Sequence, residues 1–391
     1  MGTSKWIFEC FESTDDRLVS SFSIFAFSNN FKTKTIIFPK KENFVIKDLD
    51  FSKIKLSNDN FTFIMKIDNS NEIKILYIGL FKVKKSLKLY VEQETQNIDN
   101  KIICIIIESK EYHPRFFYCI LKDIYLRSKK GEINANSFID TKLFKNEIMN
   151  MNNEIHELQK YFFSMFKPNQ IISLINYLLC GCSFVVVSSN YSQIGVGAFG
   201  LLALLHPIRW VYNFIPFLQD LSSLKDDKFI AGIDFYSLQS EKNRNIMTTP
   251  DVYLNLDFYN ITITKQFSGT SKELPYLTKK IESLLLKEIV VYQNTGLYSV
   301  SKIQTIIWQY IFGLLLISTN LIESNPTLND LISKINTPPN NTNVIERTIL
   351  ESPIIQNLTI EISSSQKRLN EFLSIFNKME PILKSIRKHL K

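Results

Sequence analysis

Glycine and proline are scarce in this 391-residue chain, at 11 and 12 residues. That is about half their ordinary share, and it excludes collagen-like and linker-dominated architectures. Histidine is scarcer still. The four residues His113, His156, His206 and His389 are far apart, and Cys180-x-Cys182 has no second pair at ligand spacing, so no metal site is expected. The chain contains neither a P-loop nor a nucleophile-elbow pattern. Its five cysteines, Cys10, Cys104, Cys119, Cys180 and Cys182, are odd in number and sit in apolar runs, which favours structural thiols in a reducing compartment. No apolar leader is visible among Glu9, Glu12, Asp15 and Asp16, and Trp6 breaks the myristoylation pattern after Gly2, so a cytoplasmic location is expected.

Basic residues outnumber acidic ones by 46 to 38, a net charge of +8, yet no run of five or more Lys or Arg occurs. The surplus allows acidic partners without requiring them. The 30 Phe and 16 Tyr fall mostly in apolar runs, which points to core packing and away from nucleic-acid stacking. The one long uncharged stretch, Ile303 to Ile322, carries Gln304, Thr305, Gln309, Ser318, Thr319 and Asn320 and reads as a core helix. Lys367, Arg368, Lys384, Arg387 and Lys388 flank an apolar stripe near the end of the chain. Such a stripe allows peripheral contact with anionic lipid, although docking on its own domain is the commoner use.

With 45% hydrophobic residues the chain can bury a large core. Phe61, Phe63, Met65 and Ile67 alternate with polar residues, predicting a half-buried strand that pairs across Asn69-Ser70-Asn71 with Ile73 to Phe81. Ile102 to Ile107 predicts a sheet centre, and Phe117, Ile120, Leu121 and Ile124 a helix opened by Pro114. Asn134 to Asn153 is polar and linker-like. Beyond it, helical runs at Ile171 to Leu179 and Gly197 to Leu205 alternate with strands at Cys182 to Ser188, Phe229 to Ile233 and Val252 to Leu256, the pattern of an α/β layer. From Leu274 onward helical spacing dominates, with an interruption at Pro381. The expected fold class is mixed α/β: a small N-terminal sheet with helices, an α/β middle, and a helical end.

Gly195-Val196-Gly197-Ala198-Phe199-Gly200 matches the dinucleotide-binding pattern by letter. That chemistry needs the first glycine at the end of a strand and an acidic residue on a strand end about twenty positions later. Ser189 to Ile194 intervenes, and Asp220 lies in a polar stretch. Close packing of a helix on a sheet accounts for the same letters, so no cofactor is expected.

The run Cys180-Gly181-Cys182-Ser183-Phe184-Val185-Val186-Val187-Ser188-Ser189-Asn190, followed by Leu201 to Leu205 and His206-Pro207-Ile208-Arg209-Trp210, resembles the central module of the DENN superfamily. Phe214-Ile215-Pro216-Phe217-Leu218 is similar to its "IPxL" segment, with Gln219 in place of the usual following proline, and Phe229 to Ile233 and Val252 to Asp257 to its later strands. Ile36-Ile37-Phe38-Pro39 and the Phe61 to Leu80 hairpin look like the longin-type upstream module, and Ile360 to Phe372 is loosely similar to the last helix of the downstream one. The Cys-Gly-Cys-Ser run is also similar to the divergent branch that includes the motor-neuron-disease repeat-expansion protein, whose members work with a second longin–DENN protein. These residues leave the branch open.

The resemblance implies residues 1–133 as a longin-like domain, 134–155 as linker, 156–272 as the central DENN domain and 273–391 as the helical downstream region. It implies a guanine-nucleotide exchange factor for a Rab GTPase in membrane trafficking, with the GTPase in the groove between residues 1–130 and 160–270. Ser188, Ser189, Asn190, Asp251 and Asp257 are its candidate contacts, each with an alternative role as a turn or cap residue. The rival reading is a non-catalytic scaffold paired with a second longin–DENN chain, possessing an arginine finger at Arg115 for GTP hydrolysis. Neither reading calls for covalent catalysis or nucleic acid. If the glycine pattern serves packing, the purified chain will show no NAD or FAD absorbance; stoichiometric flavin or nicotinamide would restore the dinucleotide reading.

Overall fold

Period-two patterning builds the first sheet. It contains β1 (Ser21–Phe27), β2 (Lys34–Phe38), β3 (Phe61–Asp68), β4 (Lys74–Lys82) and β7 (Ile102–Ser109), all antiparallel in the order β2-β1-β7-β4-β3. The computed structural model describes residues 21–28, 34–38, 51, 54, 56, 61–68, 74–83, 86–91, 94–109, 114–134, 162–218, 224, 228–239, 250–264, 273–295, 299–322, 326–339 and 342–390. The turn at 69–71, the linker stretch 135–155 and Cys10 lie outside them. As its β-branched run predicts, β7 is the central strand, with all eight residues buried.

Helix α1 (Pro114–Ser128) packs Phe117, Leu121 and Ile124 on the face that carries Phe61, Phe63, Tyr77 and Ile105. The opposite face, with Ile64, Ile78, Leu80, Cys104 and Ile106, is covered by Tyr191, Ile194 and Phe217 of the middle of the chain. The expectation of a half-buried β3 is therefore corrected: from Phe61 to Met65 both faces are buried, Thr62 included, because the sheet is covered on each side. Beside it lies a small sheet absent from the sequence reading, formed by β5 (Leu87–Val91), β6 (Glu94–Ile98) and β8 (Glu132–Asn134).

The middle of the chain opens with α2 (Pro168–Leu179) and continues as β9 (Phe184–Ser188), α3 (Tyr191–Leu205), β10 (Asn213–Leu218), β11 (Phe229–Asp234), α4 (Phe235–Leu238), β12 (Val252–Asn255) and β13 (Asn260–Ile263). The sheet order is β10-β11-β9-β12-β13, parallel except for the last strand. Pro216 lies in β10, which tolerates it because an edge strand can spare an N–H.

Helix α3 starts at Tyr191, so most of the Ser189 to Ile194 segment that intervenes before Gly195 is helical, and all three glycines lie inside the helix. Each serves a close contact. A Cβ on Gly195 would stand 2.8 Å from Met65 Cε of β3, and one on Gly197 2.6 Å from Leu256 Cδ1 and 2.9 Å from Val186 Cγ1. At Gly200 it would overlap the buried ring of Phe162. One helix thus touches the first sheet, its own sheet and a preceding helical turn, which is the packing role expected of these letters.

The remainder is helical: α5 (Glu273–Thr295), α6 (Val300–Ser318), α7 (Leu328–Asn336), α8 (Val344–Leu350), α9 (Pro353–Ser364), α10 (Gln366–Phe376), a 3₁₀ turn (Asn377–Met379) and α11 (Glu380–Leu390). Pro381 sits in the first turn of α11, and the interruption expected there is the 3₁₀ turn just before it. The uncharged stretch from Ile303 lies in α6, which is a core helix. Its Trp308 Nε1 donates to the His206 carbonyl at 2.8 Å, its Tyr310 hydroxyl to Asn176 Oδ1 of α2 at 2.6 Å, and burial pushes the Tyr310 phenol far up. No helix among the described residues is long and apolar enough to cross a membrane.

Two residues of the basic C-terminal stripe face inward. Arg368, 6% exposed, donates to Glu361 Oε2 at 2.9 Å, Glu371 Oε2 at 2.6 Å and the Pro207 carbonyl at 2.7 Å, and Arg209 closes on Glu361 at 3.5 Å. Arg387 donates to the Ile322 carbonyl at 2.8 Å. A partly buried ionic network centred on Arg368 therefore ties the helical end to the middle of the chain.

Two substitutions test this packing. Arg368→Ala should cost about 2–3 kcal/mol, because it removes the buried donor shared by the Pro207 carbonyl and the half-buried Glu361 and Glu371 carboxylates. Gly200→Ala should cost about 1–3 kcal/mol by overpacking, with partial rescue by Phe162→Leu. Denaturant unfolding of the single and double variants measures both.

Candidate functional site

In parallel α/β sheets ligands are taken at the carboxyl ends of the strands. In the central sheet that edge aligns Asp234 of β11 with Ser188 of β9, and Val187 of β9 with Asn255 of β12. Ser188 is fully buried, while Ser189 and Asn190, which follow it into α3, are exposed.

A carboxylate clamp fixes this loop. The Ser188 hydroxyl has one proton and donates it to Asp257 Oδ1 at 2.6 Å, while its oxygen accepts from the Asn190 N–H at 3.0 Å and lies 3.2 Å from the Gln193 side-chain amide. Asp257 Oδ2 accepts the Ser189 N–H at 2.7 Å. Asn255 Oδ1 in turn accepts the N–H groups of Asp257 at 3.1 Å and Phe258 at 3.2 Å, an Asx turn that holds the hairpin between β12 and β13. Asp257 thus places a negative charge beside the first turn of α3, where the positive end of the helix favours an anion. A phosphate there would meet that carboxylate, a second reason why the glycine pattern is not a nucleotide cradle.

The clamp also shapes what projects outward. Phe258 is 71% exposed and Tyr259 56%, and Tyr259 adopts the left-handed backbone region at φ 51°. On the far side of β9, Asp234 caps α4 by accepting the N–H groups of Tyr236 at 3.1 Å and Ser237 at 2.8 Å, together with the Ser237 hydroxyl. Tyr236 is exposed. Right after Asn190, Tyr191 turns into the cluster shared with the first sheet and meets the Phe217 ring at 5.3 Å, so the loop sits where the two sheets join.

The structure brings together four of the residues singled out in the sequence, Ser188, Ser189, Asn190 and Asp257. Asp251 lies at the opposite end of β12, where its carboxylate accepts the Ser183 N–H at 2.8 Å and pairs with Lys228 at 2.9 Å. Close by, burial pushes the Tyr177 phenol up, with smaller contributions from Cys182, Cys180 and Asp251. Arg115 belongs to the first turn of α1, its side chain outside the described residues, and α1 covers the face of the first sheet turned away from Tyr191. Asn255, Tyr236, Phe258 and Tyr259 were missed. Among the described residues no cluster of three or more His, Cys, Asp or Glu is placed to hold a metal ion.

Residues 147–246 match the family model of the DENN (AEX-3) domain. This match supports membership of the DENN superfamily. No curated protein matches it at a significant level. The DENN match spans β9, the Ser188 to Asn190 loop, α3, β10 and β11, and ends before β12, so the clamp joins a matched loop to an unmatched hairpin.

Removing the clamp should loosen that loop first. Asp257→Ala leaves the Ser189 amide without its acceptor and the Ser188 hydroxyl with only the longer contact to Gln193, and should cost about 1–3 kcal/mol. Hydrogen exchange should accelerate at the Ser189 and Asn190 amides, whereas Asp251→Asn should destabilise the fold and leave those amides protected.

Proposed function

We propose that this chain is a DENN-type regulator of small GTPases that acts as a guanine-nucleotide exchange factor for a Rab. The observation that carries this reading is the clamped, exposed Ser189–Asn190 loop. It lies within the residues matched to the DENN domain, at the carboxyl edge of the central sheet and at its junction with the first sheet. The longin-like, linker, central and helical divisions belong to the same proposal. One apolar core is continuous through β3, α3, α6 and α10, which favours rigid presentation of the edge over independent modules.

Exchange asks for no proton transfer or nucleophile. A GTPase holds its nucleotide and Mg²⁺ with ordered switch loops, so a surface that prefers the opened switches weakens nucleotide affinity by population shift. Turning a 1:99 equilibrium into 99:1 requires a preference of about 10⁴, or about 5.5 kcal/mol. A standard-sized interface with a few well-packed anchors supplies that much.

Release of fluorescent GDP from a panel of Rab GTPases tests the reading. Selective acceleration with one or two Rabs is expected. Ser189→Arg, which adds bulk to an exposed loop position, should lower kcat/KM at least about tenfold without a change in Tm. The Asp251→Asn variant should retain full exchange activity. Absence of acceleration across the panel would sink the exchange reading and leave the scaffold paired with a second longin–DENN chain.

A further inference from the structure

We infer that the Phe258–Tyr259 tip is the anchor that seats the GTPase on this edge, entering an apolar, uncharged depression of the partner. The inference rests on the exchange-factor reading and adds to it the element that provides the binding energy. A phenylalanine 71% exposed at the end of a hairpin gains the fold nothing. A bulky residue at φ 51° is strained in a position that asparagine or glycine fills at lower cost. Both departures fall on adjacent residues, and both are held in place by Asn255 and by the Asp257 clamp. A tip fixed in this way loses little conformational entropy when it is buried by a partner.

The kind of partner follows from the exposed, described residues around the tip. Among the described residues, Ser189, Asn190, Tyr236 and Asn260, exposed on the same edge, are all uncharged, and the Asp257 carboxylate is taken up by Ser188 and Ser189, although the chain as a whole carries +8. Nucleic acid or an anionic membrane would be met by Lys and Arg. Tyrosine and phenylalanine with short uncharged hydroxyl and amide side chains form instead the kind of surface that binds folded proteins through rigid aromatic anchors. Complementarity then requires a neutral, apolar patch on the GTPase, and binding governed by that contact depends little on salt.

The test uses the full chain with Phe258→Ser and Tyr259→Asn. Binding to a panel of nucleotide-free Rabs is measured alongside GDP release, Tm and oligomeric state. Phe258→Ser should weaken binding at least about tenfold at unchanged Tm. Tyr259→Asn should also weaken it while raising Tm by about 1–3 °C, since strain is relieved. Going from about 50 to about 300 mM salt should change the wild-type Kd less than about threefold.

If the wild type accelerates release and both variants match it, the tip is not the anchor and the exchange reading stands. Binding that the variants lose, without any exchange by the wild type, upholds the anchor and removes the exchange reading. A wild type that binds no Rab overturns both. A wild-type dimer that Phe258→Ser dissociates would make the tip a contact between copies of this chain and overturn the inference. A fall in Tm for Tyr259→Asn would overturn the strain argument on which it rests.

Discussion

The close approach of α3 to three neighbours is the constraint on which the rest depends. A helix that is buried almost all round has no outward face and must be matched by atoms on every side. Gly195, Gly197 and Gly200 provide the room, against Met65 of the first sheet, Val186 and Leu256 of the central sheet, and Phe162. Because Gly195 meets the edge strand of a different sheet, the contact that seats α3 on its own sheet also sets the position of the first sheet. Because α3 begins three residues after Ser188, the same contact fixes where the exposed loop emerges.

The parts of this architecture legible in the sequence were those dictated by local pattern. Alternation in β3 and β4, the β-branched β7, the buried β9 and β11, and the helical spacing of α1 all appear where the residues place them. The parts that escaped depend on distant partners. Pro216 kept β10 from being read as a strand, since a strand with a proline fits only once it is known to lie at an edge. The polar Tyr191-Ser192-Gln193 hid the first turn of α3, although Tyr191 is buried against the first sheet. Arg368 read only as one of the basic residues beside an apolar stripe, because its acceptor at Pro207 is 161 positions away.

The candidate site divides in the same manner. Ser188, Ser189 and Asn190 were visible because a strand must end there, and Asp257 because it closes the next parallel strand. Asp251 looked equivalent by residue type, but residue type does not reveal which end of a strand a carboxylate caps. The aromatic tip went unread although its signal was present. Between two strands, Asp257-Phe258-Tyr259-Asn260 puts aromatics where turn chemistry calls for glycine or asparagine. A local rule broken at an exposed position, with no gain inside the fold, is itself evidence of use.

Rigidity and neutrality at this edge are consistent requirements of one task. A surface that shifts a partner between two states must bind one of them better, and whatever it spends on ordering itself is lost equally from both. The clamp removes that cost in advance by tying the Ser189 backbone to Asp257 and the hairpin to Asn255. The uncharged residues described around the tip have a second consequence. Long-range attraction would raise encounter rates with many GTPases of complementary charge, whereas discrimination by apolar fit acts at short range, after contact. An edge built in this way selects its partner by shape, and the charge carried elsewhere on the chain is left free of that choice.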